Sequence, residues 1–208
     1  MVFVPLFPAF VGDIMFSDSA TLKIQVNYQQ RSICKGRESL IELLRHDGVE
    51  DPWRYIRFFS LRNHGQTPLT QTPVTEMIYI HSKLLIVDDT ALVIGSANIN
   101  DRSMLGSRDH EIAVVCRMNK DEECAEVTLG GKQTHASKMV HDMRCELMME
   151  HFGLIYDEVK DPLASREKLC RIASSNSALY FHIFKFEADN SIRNFDQLAQ
   201  VRAQREEL

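Results

Sequence analysis

The sequence lacks the features that mark several special classes of protein. Its 208 residues contain five cysteines, an odd number, and no Cys-x-x-Cys pair. This argues against a disulfide framework or a cysteine zinc site and indicates reduced thiols in an intracellular compartment. The net charge is −5 and the pI is near 5.9, so no general nucleic-acid-coating surface is expected. No apolar run approaches the ~18–20 residues that a membrane-spanning helix requires.

The apolar start of the chain, residues 1–16, also lacks what a secretory signal requires. It has no basic residue, and Pro5, Pro8 and Asp13 interrupt the apolar run. We predict instead a short core strand at residues 2–6 that leads into a turn. Together with the unpaired cysteines, this favours a cytoplasmic protein with no signal peptide and no transmembrane helix. Such a protein would associate with intracellular membranes only peripherally.

The remaining composition is that of an ordinary globular chain, with 44% hydrophobic and 25% charged residues. Short strands are interspersed with helices, which indicates the α/β class and an α/β sandwich. Helices are predicted at residues 19–34, 38–46, 136–152 and 163–174. Strands are predicted at residues 55–61, 77–80 running into 81–87, 91–94 and 111–116. A tight turn is predicted at Asp88-Asp89-Thr90 and an exposed loop at residues 63–73.

One stretch carries residues suited to phosphodiester chemistry. His81 and Lys83 are separated by a single residue on a predicted strand, and strand alternation then directs both side chains to the same face. Cleavage of a phosphodiester needs an attacking or proton-donating group and positive charge on the non-bridging oxygens. His81 can act as attacker or acid, and Lys83 can hold a phosphate oxygen as a point charge.

Residues downstream extend this pattern. Ser96 and Asn98, in a turn after the predicted partner strand, offer a hydroxyl and an amide donor to the phosphate. Glu111 begins a neighbouring predicted strand and is the candidate for accepting the second imidazole proton. Asp88 lies five residues beyond Lys83, at the strand-to-turn junction, and is expected to have a structural role.

The spacing His81-x-Lys83-x4-Asp88, followed by Gly-Ser96-x-Asn98, is the signature of the phospholipase D superfamily. The flanking sequences YIHSKLLI (residues 79–86) and IGSANINDRSMLG (residues 94–106) resemble the second such motif, called HKD, of eukaryotic phosphatidylcholine-hydrolysing phospholipase D. The resemblance implies an α-β-α sandwich with a mixed sheet. It also implies that residues 1–208 form the C-terminal catalytic half, with its motif core at residues 77–116. We expect this half to be truncated at both ends.

The same resemblance implies a mechanism. Histidines from two motifs meet at one site, where one forms a phosphohistidine and the other protonates the departing alcohol. His81 is assigned as the general acid and base, although exchange of the two roles stays open. Lys83, Ser96 and Asn98 would bind the phosphoryl oxygens and Glu111 would orient His81. The chemistry requires no metal or other cofactor, and phosphoinositide activation follows by family resemblance only. The substrate would be a phospholipid at a membrane surface, with no nucleic acid partner.

The chain departs from that pattern in two respects. A second His-x-Lys-x4-Asp is absent from the 208 residues, so the other histidine must come from a first-motif half or from a second copy of this chain. His110 stands where the related enzymes have a small residue, and it could compete with His81 for Glu111. Three alternatives are therefore open: half of a phospholipase D, a single-motif homodimeric phosphodiesterase or nuclease, and a non-catalytic fragment that binds phosphate headgroups.

Overall fold

The computed structural model describes residues 1–6, 20–119 and 124–184. Contacts divide the chain into two compact units, one of residues 1–80 and 176–208 and the other of residues 81–175. Helices and short strands make up both units. The α/β class predicted from the sequence is thus confirmed. In the described residues the strands form four small sheets.

Among the described residues, the first unit contains two whole α-helices, the end of a third and two pairs of strands. In chain order its elements are β1 (Val2–Phe3), α1 (Ala20–Ile33), α2 (Leu40–His46), β2 (Phe58–Phe59), β3 (Leu61–Gln66) and β4 (Pro73–Ile78). Strands β1 and β2 pair in parallel. The core cluster of Ile33, Cys34 and Ile41 is packed against by Trp53, Ile56 and Phe58. Apolar residues at the end of α1 and in α2 therefore pack against the segment that leads into β2.

The predicted exposed loop at residues 63–73 is wrong over part of its length. Strands β3 and β4 pair along their whole length as an antiparallel ribbon. Only residues 67–72 form the turn, which is closed by a hydrogen bond from the Thr67 N–H to the Thr72 carbonyl at 3.0 Å. The ribbon escaped prediction because most of its side chains are exposed. A strand with no buried face shows no alternation of apolar and polar residues.

Among the described residues, the second unit contains a three-stranded sheet, a hairpin, three whole helices and the first part of a fourth. Its elements are β5 (Lys83–Val87), β6 (Ala91–Gly95), α3 (Asp101–Met104), β7 (Ala113–Arg117), β8 (Cys124–Leu129), β9 (Lys132–Ser137), α4 (Lys138–Phe152), α5 (Tyr156–Val159) and α6 (Pro162–Phe184), the last of which continues into the first unit. Strands β5, β6 and β7 are antiparallel neighbours. The tight turn predicted at Asp88-Asp89-Thr90 is confirmed, and both aspartates have positive φ.

The starts of β5 and α4 differ from those predicted. The segment 77–87 is not one strand, because β4 ends at Ile78 and β5 begins at Lys83. Helix α4 begins at Lys138, since the residues before it belong to β9. Ser137 caps this helix with its hydroxyl, which accepts from the Val140 N–H at 3.4 Å, and Gly153 ends it in the left-handed conformation.

Helix α4 is joined to the β5–β6 turn by a buried charged network. Asp89 accepts hydrogen bonds from Arg144 at 2.7 Å (Nε to Oδ1) and 2.8 Å (Nη2 to Oδ2). His141 Nδ1 lies 2.8 Å from the same carboxylate, and its Nε2 lies 2.9 Å from the Tyr156 hydroxyl. Arg144 also donates to the carbonyls of Val159 and Lys160. The network therefore links the β5–β6 turn, α4 and α5 in the interior of the second unit.

Candidate active site

A cleft opens at the end of the β5–β6–β7 sheet and gathers most of the residues that the sequence singled out. Its volume is about 1130 Å³. It is lined by His81, Lys83, Ser96, Asn98 and Glu111. Arg108, Asp109 and His110 lie in the same lining. The tertiary structure thus brings two separated motifs and a third segment around a single cleft.

The positions of His81 and Lys83 differ from the simple alternation expected on one strand. Lys83 is the first residue of β5, whereas His81 precedes the strand. Lys83 Nζ donates to the His81 carbonyl oxygen at 2.5 Å. Both residues line the cleft although only Lys83 belongs to the strand, and the lysine side chain reaches back to the backbone two residues before it.

Gly95 permits the close approach of β6 and β7 beside this pair. A Cβ atom at position 95 would lie 2.5 Å from the Ile112 carbonyl oxygen and 2.7 Å from the Ala113 Cβ. Neither contact could be relieved by moving a flexible side chain, so only glycine fits. The next residue, Ser96, continues the pairing through its N–H, which donates to the Ile112 carbonyl at 3.0 Å. Close strand approach therefore places Ser96 against the Glu111 segment.

Ser96 and Glu111 form a direct pair. The Ser96 hydroxyl donates to Glu111 Oε2 at 2.5 Å and accepts from the Ile112 N–H at 3.0 Å. A serine hydroxyl has one proton to donate, and here it is directed at the carboxylate. The contact between Ser96 and a phosphate, expected from the family resemblance, stays a prediction.

Asn98 is held by a residue that the sequence analysis did not single out. Its backbone N–H donates to the Ser103 hydroxyl at 3.0 Å. Ser103 lies in α3, and its own N–H donates to the Asn100 side-chain oxygen at 3.1 Å, so Asn100 caps this short helix. The signal was present in the spacing Asn100-x-x-Ser103, which is that of an N-cap and the residue whose N–H it accepts.

Glu111 sits in an environment that favours its ionised form. The hydroxyl groups of Ser103 and Ser96 lower the pKa of its carboxyl group, burial opposes this, and the positive charges of Lys83 and Arg102 lower the pKa further. Arg102 also pairs with Asp109, at 2.9 Å. The predicted role of Glu111 in orienting His81 stays a prediction. Its hydroxyl partner at hydrogen-bond distance, Ser96, belongs to the Gly-Ser-x-Asn turn.

Asp88 lies at the other end of β5 from Lys83, in the turn before β6. The neighbouring Asp89 has the buried ionic contacts, and it is 2% exposed. The sequence marked the motif aspartate and gave no reason to distinguish its neighbour. The distinction arises from packing against α4, a helix more than fifty residues away in sequence.

The part of the chain that the structure describes contains neither a metal-binding cluster nor a membrane-spanning helix. Among residues 1–6, 20–119 and 124–184, no group of three or more His, Cys, Asp and Glu side chains is placed to hold a metal ion. Within the same residues, no helix has both the length and the apolar character needed to cross a bilayer. His110 is exposed in the cleft lining, next to Glu111 in sequence.

Comparison with known proteins identifies the sequence relatives of this chain. The family model described as Phospholipase D matches residues 24–188. Phospholipase D1 of Mus musculus is 36% identical over 204 residues, which is 95% of this chain and 18% of the mouse protein. Phospholipase D1 of Schizosaccharomyces pombe is 43% identical over 157 residues, covering 76% of this chain and 11% of the yeast protein.

A plant relative gives a similar result. Phospholipase D zeta 2 of Arabidopsis thaliana is 36% identical over 200 residues, covering 93% of this chain and 19% of the plant protein. The chain thus spans about a fifth or less of the length of these curated relatives. The likeness extends over nearly all of this sequence, well beyond the residues that line the cleft.

Proposed function

The chain belongs to the phospholipase D family, and from this premise we propose that it provides one half of a phosphodiesterase site. The observation that carries the proposal is the cleft in which His81, Lys83 and Asn98 lie together with Glu111. These are the groups that the family motif requires, and they converge although they come from three segments of the chain. The substrate proposed is phosphatidylcholine, cleaved to phosphatidic acid and choline at a membrane surface.

The reaction proceeds in two balanced steps. A histidine nitrogen attacks phosphorus, the P–O bond to choline breaks, and the other histidine donates a proton to the departing oxygen. Water then gives a proton to that second histidine and attacks the phosphohistidine, which releases phosphatidic acid. A primary alcohol in place of water gives the transphosphatidylation product. His81 is proposed as the acid and base, with the nucleophile supplied by the histidine of the first motif.

Charge on the phosphoryl oxygens is offset by side chains of this protein. Lys83 supplies a positive charge and Asn98 an amide donor, and the cleft lining adds Arg108. Preorganised donors of this kind stabilise charge that develops in the transition state. The proposed chemistry therefore requires no metal ion and no other cofactor. Activation by phosphoinositides stays a proposal by family resemblance.

A reconstitution experiment tests the proposal. The chain would be combined with a separately produced first-motif half of a phospholipase D, and choline release and ethanol transfer would be measured on phosphatidylcholine vesicles. We expect activity only in the mixture, with a loss of at least ~10³-fold on His81→Ala. His135→Ala, which alters an exposed histidine on β9, is the matched control. Reconstituted activity that survives His81→Ala would overturn the assignment.

The same preparation separates the alternatives. A single-motif enzyme would form a stable dimer by light scattering and cleave a nucleic acid or a simple phosphodiester without the added half. A non-catalytic fragment would bind anionic vesicles in a Lys83-dependent manner and show no turnover in any mixture. Both outcomes contradict the proposal that the site is completed by a first-motif half of a phospholipase D.

A further inference from the structure

We propose that Arg102 and Asp109 are positioning residues of this site, because their ion pair closes the connection between β6 and β7 that carries Asn98 and Glu111. Arg102 Nη2 lies 2.9 Å from Asp109 Oδ2. The Asp109 N–H also donates to the Arg102 carbonyl at 2.9 Å. These two contacts form the Arg102–Asp109 clamp. Its importance for phosphate chemistry rests on the function proposed above, whereas the clamp itself can be tested without any measurement of activity.

The same connection is held at its other end, where it leaves the sheet. The Ser96 N–H donates to the Ile112 carbonyl at 3.0 Å, and the Ile112 N–H donates to the Ser96 hydroxyl at 3.0 Å. The Ser96 hydroxyl in turn donates to the Glu111 carboxylate. These contacts and the clamp are therefore successive links between the two arms of one connection, residues 96–102 and 109–112.

The cleft residues of this connection lie between the two links or beside them. Asn98 lies in the first arm, and His110 and Glu111 lie in the second. Arg108 lies one residue beyond the clamp, and its N–H donates to the Leu105 carbonyl at 3.0 Å. Each arm is thus fixed on both sides of the residues that it contributes to the cleft. Loss of the ion pair leaves a single backbone hydrogen bond to close the clamp.

The connection depends on such polar contacts because apolar packing does little to hold it. None of residues 96–112 is buried, and the short helix α3 within this range has no buried residue. A segment with few buried apolar contacts opens locally at a small cost in free energy. The side chains of Arg102 and Asp109 are 69% and 38% exposed, so their pair contributes little to global stability. Its effect is expected on the local geometry of the connection.

The position of Arg102 favours a positioning role over direct contact with a phosphate. The described residues that line the cleft include Lys83, Arg108 and Asp109, and Arg102 is not among them. A guanidinium that donates to a carboxylate has part of its fixed set of donors occupied. Arg102 therefore faces Asp109, and Lys83 and Arg108 supply the positive charge of the cleft. Exchange of the two charges of the clamp distinguishes the two roles.

The test is amide hydrogen exchange, followed by NMR on the isolated chain of 208 residues. Arg102→Asp and Asp109→Arg each place like charges opposite each other. We expect the Asn98 and Arg108 amides, which are hydrogen bonded within the connection, to exchange about two- to fivefold faster, the range that corresponds to an exposed ion pair. The variant that combines both substitutions restores a pair of opposite charges and should return both rates towards wild type.

Two further variants complete this test. Asp109→Asn removes one charge without reversing it, and it should accelerate the same two amides even if a charge-reversed variant does not fold. Asp157→Arg reverses one charge of an exposed pair with Lys160, at 2.7 Å, and is the matched control that should leave both rates unchanged. Wild-type exchange rates in folded Asp109→Asn, or faster rates that the exchanged charges do not restore, would overturn the proposal.

A second arm uses the reconstituted enzyme and keeps the two proposals distinguishable. Each charge reversal should lower kcat about two- to fivefold with little change in KM, because Asn98 and Glu111 are less well oriented at the reacting phosphorus. The combined variant should recover this loss. If it stays as impaired as Arg102→Asp, Arg102 contacts the phosphate itself and the positioning role is wrong. If the wild-type mixture has no activity, the half-site proposal fails and the exchange rates still decide the role of the clamp.

Discussion

Two carboxylates of the second unit, Glu111 in the cleft and Asp89 in the β5–β6 turn, both have hydrogen-bond donors and positively charged neighbours. Glu111 is exposed to solvent, whereas Asp89 is buried. Glu111 accepts a hydrogen bond from the Ser96 hydroxyl and lies in contact with solvent, where the charges of Lys83 and Arg102 help to lower its pKa. Asp89 receives a bidentate arginine and a histidine, and its side chain is 3% exposed. We therefore expect burial, more than the number of hydrogen bonds, to decide how much each carboxylate contributes to the free energy of unfolding.

The largest expected effect comes from breaking the buried side of this comparison. Arg144→Met leaves Asp89 buried without its ionic partner, and we expect a loss of ~3–5 kcal/mol in the free energy of unfolding. The Asp89 charge favours the ionised guanidinium, and the pKa of Arg144 is raised even though burial opposes this. Urea denaturation followed by circular dichroism measures the change.

A double variant sharpens the interpretation of that result. Arg144→Met combined with Asp89→Asn removes both charges and should recover part of the loss, because no unpaired ion then remains in the interior. Additive losses in the two single variants and the double variant would show that the pair is not coupled. Glu111→Gln in the cleft is the comparison. If it lowered the free energy of unfolding as much as Arg144→Met, the proposed contrast between the exposed and the buried carboxylate would be wrong.

Asp161 is an intermediate case between the two carboxylates. It accepts the N–H groups of Gly130 and Gly131 at 3.0 Å each and those of Leu163 and Ala164 at the start of α6. We expect Asp161→Ala to cost roughly 1–3 kcal/mol, since it removes a helix cap and the attachment of the β8–β9 turn together. Differential scanning calorimetry at neutral pH measures it, and Asp157→Ala, an exposed carboxylate, is the control.

The pH dependence of this contribution has a definite sign. Burial raises the pKa of Asp161, but the four backbone donors outweigh it and the net pKa is lowered. A group with a lowered folded-state pKa stabilises the protein above its unfolded pKa, near 4 for aspartate. That stability is lost as the pH falls through the folded value. The stability difference between wild type and Asp161→Ala should therefore shrink below about pH 4; a difference that widens on acidification would contradict this interpretation.

Glu111→Gln tests the exposed side of the comparison. Glutamine keeps the shape and acceptor oxygen while removing the charge, and we expect little change in the unfolding midpoint at neutral pH. The same variant should impair the reconstituted enzyme. Thermal unfolding and choline release measured on one preparation would distinguish the two effects. A large fall in the midpoint would show that the cleft carboxylate is structural, as Asp89 is.

The smallest effect is expected at an ordinary surface pair. Lys138 donates to Asp142 at 2.6 Å one helical turn away, with both side chains more than 40% exposed. Asp142→Ala should cost no more than ~0.5 kcal/mol, because an exposed helical ion pair is screened by water and salt. A loss as large as that of Arg144→Met would contradict the role assigned to burial.

The local patterns of the chain predicted some elements well and others not at all. The positive-φ turn at Asp88-Asp89 and the helix over 38–46 were predictable, since turn residues and amphipathic spacing are encoded locally. Hairpin β8–β9 and the β3–β4 ribbon were missed. Strands β3 and β9 are polar and largely exposed, so the pattern that identifies strands is absent from one strand of each pair.

For the candidate site, the residue types were predictable and their contacts were not. His81, Lys83, Asn98 and Glu111 were identified from motif spacing, and all four line the cleft. Ser103 and Arg102 were missed, because a serine in a short helix resembles many others until its partners are known. The predicted placement of His81 on the strand was wrong, since β5 begins at Lys83, although both side chains line the same cleft.

By itself the sequence determined the family, the α/β class and the chemical groups available for phosphate chemistry, because motif spacing and residue type are local properties. Only the tertiary structure decided that Ser96 is hydrogen bonded to Glu111 and that Asp89 rather than Asp88 has the buried ionic contacts. Hydrogen-bond partners and burial depend on which distant segments meet. Gly95, β7 and helix α4 bring those segments together through packing that no short stretch of sequence encodes.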